Sequence, residues 1–286
     1  MKALIIILIA TGLTGCLPKS QPSSGKKQIL VTILPEKSFI EKIAGNDFEV
    51  TLLVPPGANP ATYSLLPAQM VEISKSTLWF RMGYVGFELS TADRITAIRP
   101  ELSVVDLSEG LDIISKKSLT RPDVITGHDP HTWLSATNVK IMAGRMLEEL
   151  VRLNPVKKEA YTVAYQQFMN EIKAVDDSIR NILQDQQGKP FITFHPSLSY
   201  FARDYGLVQY AMEEGGKEPS PAHLASLAEI ARVKNIRTIY IQSEFDQETA
   251  NAFAREIEGK VIQIWPLNPS WSENMISMAR ALSENP

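Results

Sequence analysis

Apolar positions along the chain fall into short unbroken runs that alternate with longer amphipathic stretches. In the first half, runs at 29–33, 48–54, 78–82 and 102–105 read as strands, and the patterns at 36–44 and 67–74 read as helices. Pro67 suits a first helical turn, and Pro55-Pro56-Gly57 closes the second strand with a turn signal. Strands that alternate with helices imply an α/β layer built on a mostly parallel sheet. Ligands of such sheets sit beyond the carboxyl ends of the strands. The loops at 55–63 and 82–87 leave from those ends.

A helix follows over 137–153, with Ser135 or Thr137 as cap and Val139, Met142, Met146, Leu150 and Leu153 on one face. Next comes the strongest periodic signal. Asn154 can cap a helix that opens on Pro155, and Tyr161, Tyr165, Phe168, Ile172, Val175, Ile179 and Ile182 then recur at spacings of four and three. With Gly188 just past its end near Gln187, this helix would run roughly 45 Å. Such a stripe also fits a coiled-coil dimer, but a single long helix between two α/β halves reads better as an internal spine. The second half repeats the alternation: strands at 191–194, 207–212, 238–241 and 260–264, helices at 198–204, 221–234, 247–257 and 272–283. His223, in a first helical turn, reads as solvent-facing.

The chain's start is different in kind. Lys2 precedes an apolar run over 3–10, too short to span a bilayer, which ends in Leu13-Thr14-Gly15-Cys16. That is the pattern of a bacterial lipoprotein signal, with Cys16 becoming the lipidated first residue of the mature protein. As the single cysteine, Cys16 has no partner for an intrachain disulfide. The expected organisation is a signal over 1–15, a flexible tether over 16–27, an N-terminal lobe over 28–153, a spine over 154–187 and a C-terminal lobe over 188–286. No further apolar run of about 20 residues predicts a transmembrane helix. A net charge of −3 argues against nucleic acid as a partner.

Candidate chemistry concentrates on the four histidines. His128 and His131 lie within 126–134, beside Pro130, and His195 stands at the end of the 191–194 strand. Neutral imidazole is the commonest protein ligand for transition metals, and His128, three residues before His131, could turn toward the same ion. Glu213 or Glu214, and Glu244 or Asp246, could add oxygen. Two imidazoles with carboxylates suit zinc, manganese or iron, and three protein donors suffice for zinc if water supplies the fourth. Asn59 or Tyr63 could support them from behind. Trp265 points elsewhere: an indole in a cleft more often serves a small organic ligand or a cation, in which case His131 and His195 would hydrogen-bond that ligand or a metal already chelated, and Ala61 would make room. No His-Glu-x-x-His, Gly-x-Ser-x-Gly or phosphate-cradling loop is present, so an enzyme is not expected.

Several segments, in order, resemble the substrate-binding lipoproteins of zinc and manganese ABC importers. Gly57-Ala58-Asn59-Pro60-Ala61-Thr62-Tyr63 is similar to that family's Gly-Ala-Asp-Pro-His-Thr-Tyr, and Asp129-Pro130-His131-Thr132-Trp133-Leu134 to its Asp-Pro-His-x-Trp-Leu. Asn154-Pro155 opening the long helix, Thr193-Phe194-His195 with Tyr200-Phe201-Ala202-Arg203-Asp204-Tyr205-Gly206, and Glu218-Pro219-Ser220-Pro221 also fit. The resemblance covers about 28–282. It implies two α/β lobes, each with a mostly parallel sheet flanked by helices, joined by one long spine helix. It also implies a monomer that holds a divalent transition metal, zinc foremost, between the lobes. Such a protein delivers its ion to a membrane permease driven by a cytoplasmic ATPase. Carried across, His131 and His195 are two of the three family histidines. The position of the family's first histidine holds Ala61, and Trp265 stands where many members carry a carboxylate. The ligand-cleft residues expected on this basis are Ala61, Tyr63 and Trp265.

Overall fold

The computed structural model describes residues 25–117, 125–213 and 217–284; the expected signal, Cys16 and Glu214 lie outside them. Strands β1 (Gln28–Val31), β2 (Glu49–Leu52), β3 (Leu78–Arg81) and β4 (Ser103–Asp106) form a parallel sheet in the order β2-β1-β3-β4. A short antiparallel hairpin follows, β5 (Ser115–Lys117) with β6 (Ile125–His128). Then β7 (Pro190–Thr193), β8 (Val208–Ala211), β9 (Thr238–Gln242) and β10 (Lys260–Ile264) make a second parallel sheet, ordered β10-β9-β7-β8. The two sheets share one topology. In each, the first strand's successor lies on one side and the third strand on the other, which opens a crevice at the carboxyl ends of β1 and β3 and of β7 and β9.

Burial follows the same logic. The inner strands β1 and β9 are buried along their whole length, as expected of parallel strands covered on both faces, whereas edge strands β2 and β8 are only half-buried. Helices α1 (Leu34–Ala44), α2 (Pro67–Lys75), α3 (Gly86–Ile98) and α4 (Ala136–Leu153) belong to the first half. The helix α3 was not legible in sequence: of its four buried positions, Phe87, Glu88, Thr91 and Ile95, two are polar. Ser135 caps α4, accepting from Asn138 N–H.

The spine is shorter than predicted. A 3-10 turn at Pro155–Lys157 leads into α5 (Lys158–Ile182), whose 25 residues span about 37 Å. The helix stops because its buried stripe stops: Leu183 is the last apolar residue, and the polar stretch to Gln187 has nothing to bury. The stripe itself packs as read, with Tyr161, Phe168, Ile172, Val175 and Ile179 buried. The second half adds α6 (Ser199–Tyr205), α7 (Pro221–Val233), α8 (Gln247–Glu256) and α9 (Trp271–Ser283). Phe39 of α1 meets Phe168 of α5 at 5.5 Å and Trp271 of α9 at 5.8 Å, so the spine and the last helix join one core with the first lobe. His223 is half-buried, not solvent-facing, and its Nε2 donates to the Ala211 carbonyl at 2.9 Å. Among the described residues no helix is long and apolar enough to cross a membrane.

Candidate metal centre

A cleft of about 230 Å³ opens between the two sheets, and strand ends supply most of its wall. The loop after β2 brings Asn59, Pro60 and Ala61, the segment after β3 brings Tyr84 and Val85, and β6 leads to His128 and His131. From the other lobe, β7 leads to His195, β9 ends in Gln242 followed by Glu244 and Phe245, and β10 leads to Pro266 and Leu267. The cleft thus occupies the position that parallel-sheet topology predicts.

His131 is fixed by the residue two before it. Asp129 Oδ1 accepts from the His131 backbone N–H at 3.0 Å and lies 2.7 Å from its ring Nδ1. Asp129 is only 2 % exposed, and burial alone would raise its carboxyl. The charge of His131, its ring and backbone hydrogen bonds and one from Ser199 together outweigh burial and hold it below the usual range. A carboxylate hydrogen-bonded to one ring nitrogen fixes the orientation of the imidazole, as carboxylates do beside metal-binding histidines.

His195 repeats the device from the other lobe. Its Nδ1 lies 2.5 Å from Glu213 Oε2, at the end of the neighbouring strand β8. The Glu213 N–H donates to the Phe194 carbonyl at 2.9 Å, which extends the β7–β8 ladder and fixes the carboxylate's origin. Phe245 stacks on the imidazole at 5.2 Å and 20°. The His131 ring meets it edge to face, at 5.2 Å and 70°.

The structure brings together only part of the expected set. His128 lines the same cleft, but it ends a strand instead of curling toward His131; its ring packs on Tyr84 at 4.6 Å, with Nδ1 3.4 Å from Ser115 Oγ. Ala61 stands exposed at the cleft wall. Tyr63 does not reach the cleft: it packs on Phe87 at 5.8 Å, and its hydroxyl lies 3.4 Å from Gln69 Oε1. Trp265 is also outside. Strand β10 buries Ile264, so the next side chain turns to the opposite face, and the indole is 53 % exposed in an adjoining groove that shares Glu244 and Leu267 with the cleft. Glu213, read as an oxygen donor, spends one oxygen on His195, while Glu214 lies outside the described residues. Among the described residues, no group of three or more His, Cys, Asp or Glu is arranged to hold a metal ion.

Sequence reading missed the role of Asp129, whose signal was available: an aspartate two residues before a histidine can bond back to that histidine's backbone. It also missed Gln242, which is buried and donates to the His195 carbonyl at 3.2 Å and to Ser197 Oγ at 2.6 Å.

The lobes are tied beside the cleft by two indoles. Trp133 Nε1 donates to the Pro266 carbonyl at 2.8 Å, and Trp271 Nε1 donates to the Trp133 carbonyl at 2.7 Å. Tyr200 adds a third tie, donating to the Asp129 carbonyl at 2.9 Å while accepting from Ile114 N–H.

Comparison with known proteins agrees with this architecture. The family described as zinc-uptake complex component A, periplasmic, matches residues 29–285. A crystal structure of ZnuA superposes with a TM-score of 0.84 at 32 % identity, over 91 % of this chain and 99 % of that one. The high-affinity zinc uptake system protein ZnuA of Bacillus subtilis is 24 % identical over 270 residues, 91 % of this chain and 84 % of that one. A Chlamydia muridarum protein with a provisional metal-binding name is 27 % identical over 285 residues, 99 % of this chain and 100 % of that one. The fold of two lobes of one topology joined by a long helix is shared with the ZnuA structure, and the protein belongs to the family described as zinc-uptake complex component A, periplasmic.

Proposed function

We propose that this chain is the extracytoplasmic substrate-binding component of an ABC importer and that it carries a divalent transition metal, zinc foremost. His131 and His195 serve as its protein donors. The observation that carries this reading is the matched pair of carboxylate–histidine couples, Asp129–His131 and Glu213–His195, meeting edge to face in one cleft. A carboxylate hydrogen-bonded to one ring nitrogen is the recurrent arrangement around metal-bound histidine. In this reading Glu213 orients its histidine and does not itself bind the ion. The protein acts as a monomer, anchored through lipid on Cys16, and passes its cargo to a permease whose ATPase does the hydrolysis.

The test is elemental analysis of the purified mature protein, followed by calorimetric titration of the stripped protein with zinc and manganese. His131→Ala and His195→Ala should each weaken binding by more than about tenfold, or ~1.4 kcal/mol. His128→Ala should leave affinity nearly unchanged, because that ring is engaged with Tyr84 and Ser115. Wild-type affinity in both alanine variants of His131 and His195 would remove them from the site.

A further inference from the structure

We infer that the hydroxyl of Tyr200, in the second lobe, positions His131 of the first and thereby sets the affinity and geometry of the metal site. This rests on the metal-binding reading above and adds a positioning residue to it.

The hairpin that leads to His131 ends in an irregular rung. Ser115 pairs with His128, so Ile114 and Asp129 stand opposite each other at the next position. A regular antiparallel pair would exchange two N–H···O bonds there. The first is present, from Asp129 N–H to the Ile114 carbonyl at 2.8 Å. The second is replaced. The Tyr200 hydroxyl accepts from Ile114 N–H at 3.1 Å and donates to the Asp129 carbonyl at 2.9 Å, so it stands between the two groups that a regular ladder would join directly. A wholly buried side chain from the other lobe is therefore built into the ladder at the residue whose carboxylate holds His131.

The helix that carries Tyr200 makes this connection rigid. Helix α6 opens at Ser199, four residues after His195, and reaches back across the lobes. Ser199 bonds the Asp129 carboxylate. Arg203 lies over the Tyr200 ring at 5.0 Å and donates to the Asp112 carbonyl at 2.9 Å. Asp204 accepts from the hydroxyl of Ser135, the cap of α4. One short helix thus joins the segment after His195 to residues on both sides of His131. How well donors converge on an ion is decided by the groups that hold them from behind. Without the hydroxyl, the rung either closes directly, drawing Asp129 toward Ile114, or leaves both backbone groups unmet. Each outcome moves the carboxylate on which His131 rests.

Tyr200→Phe keeps the ring and removes only the hydroxyl. Zinc titration of the stripped variant should show affinity lowered tenfold or more. The visible absorption of the cobalt-loaded variant, which reports ligand geometry, should differ from that of wild type in band position or intensity. Tyr161→Phe is the control for lost stability alone, since its hydroxyl donates to Asp47 at 3.0 Å where the spine begins, away from the cleft. It should keep the wild-type cobalt spectrum and a Kd within twofold of wild type. Arg203→Met, at an exposed position, removes the guanidinium from Tyr200 and its bond to Asp112. It should lower zinc affinity threefold or more, and it carries the test if Tyr200→Phe does not fold; wild-type affinity there would then overturn the inference. So would a wild-type Kd and cobalt spectrum in Tyr200→Phe, or a loss of affinity that Tyr161→Phe reproduces, and the importer reading would stand. If wild type itself binds neither zinc nor cobalt, both fall.

Discussion

Glu213 holds Oε2 2.5 Å from Nδ1 of His195, just beyond the ends of the paired strands β8 and β7. The first lobe achieves the same with a local turn, Asp129 to His131. In each couple the carboxylate fixes which nitrogen faces the cleft and raises its basicity. Glu213→Gln and Asp129→Asn should therefore each lower zinc affinity by about 10- to 100-fold. Calorimetry on the stripped variants measures this. An unchanged Kd in both would mean that the histidines are oriented by packing against Phe245 and Trp133 alone.

Trp133 should matter for stability more than for binding. Its indole N–H reaches the Pro266 carbonyl from the other lobe, and its own carbonyl accepts from Trp271. Trp133→Phe keeps a ring but strands the Pro266 carbonyl, which should cost about 1–3 kcal/mol. Urea denaturation reads the loss as a lower midpoint. A midpoint equal to that of wild type would show that water replaces the indole at Pro266.

Much of the fold was legible because inner parallel strands advertise themselves as unbroken apolar runs, and α5 by a stripe with a regular period. The helix α3 hid because Glu88 and Thr91 occupy half of its buried face. The site was legible only in its histidines. The sequence offers Glu213 as an oxygen donor but does not say that its Oε2 meets Nδ1 of His195, because that pairing depends on the register of β7 and β8. Trp265 misled for a simpler reason. One step along β10 exchanges the inner face for the outer one, and Ile264 had already taken the inner face.

Gly86 sets how closely the Ala61 loop approaches the cleft. A Cβ added there would lie 2.6 Å from the Ala61 carbonyl oxygen and 3.0 Å from its Cα, and backbone on both sides leaves no flexible atom to give way. The Phe87 N–H also donates to the Pro60 carbonyl at 2.9 Å, which locks the two segments together. Gly86→Ala should destabilise the protein by about 1–3 kcal/mol and displace Ala61 from the cleft wall. Thermal melting and zinc titration together test this: a wild-type Tm with wild-type affinity would show that the loop yields without consequence.

Stability should fall as pH rises through neutrality, because two carboxyls are wholly buried behind β1 and β3. Burial pushes Glu88 up to about 7, against hydrogen bonds from Thr32, Met82 and Gly83 and the charge of Arg81 that partly offset it. Burial, and then the charge of Glu88, raises Glu36 well above the usual range, although it accepts from Ile33 and Thr32 N–H. A raised folded pKa means that the native state keeps protons that the unfolded chain has released. The contribution of Glu88 is complete below the unfolded carboxylate range and is lost as pH climbs through about 7, and Glu36 acts in the same direction. Asp129, shifted the other way, acts only at acid pH, where its contribution disappears as pH falls. The fall from pH 5 to pH 8.5 should be on the order of 3 kcal/mol for Glu88. Glu88→Gln removes that slope but cannot accept from both the Met82 and Gly83 N–H groups, which should cost about 1 kcal/mol. The variant should be the weaker protein at pH 5 and equal or stronger at pH 8.5. Urea midpoints at the two pH values decide the matter, since parallel profiles would show that the Glu88 proton plays no part.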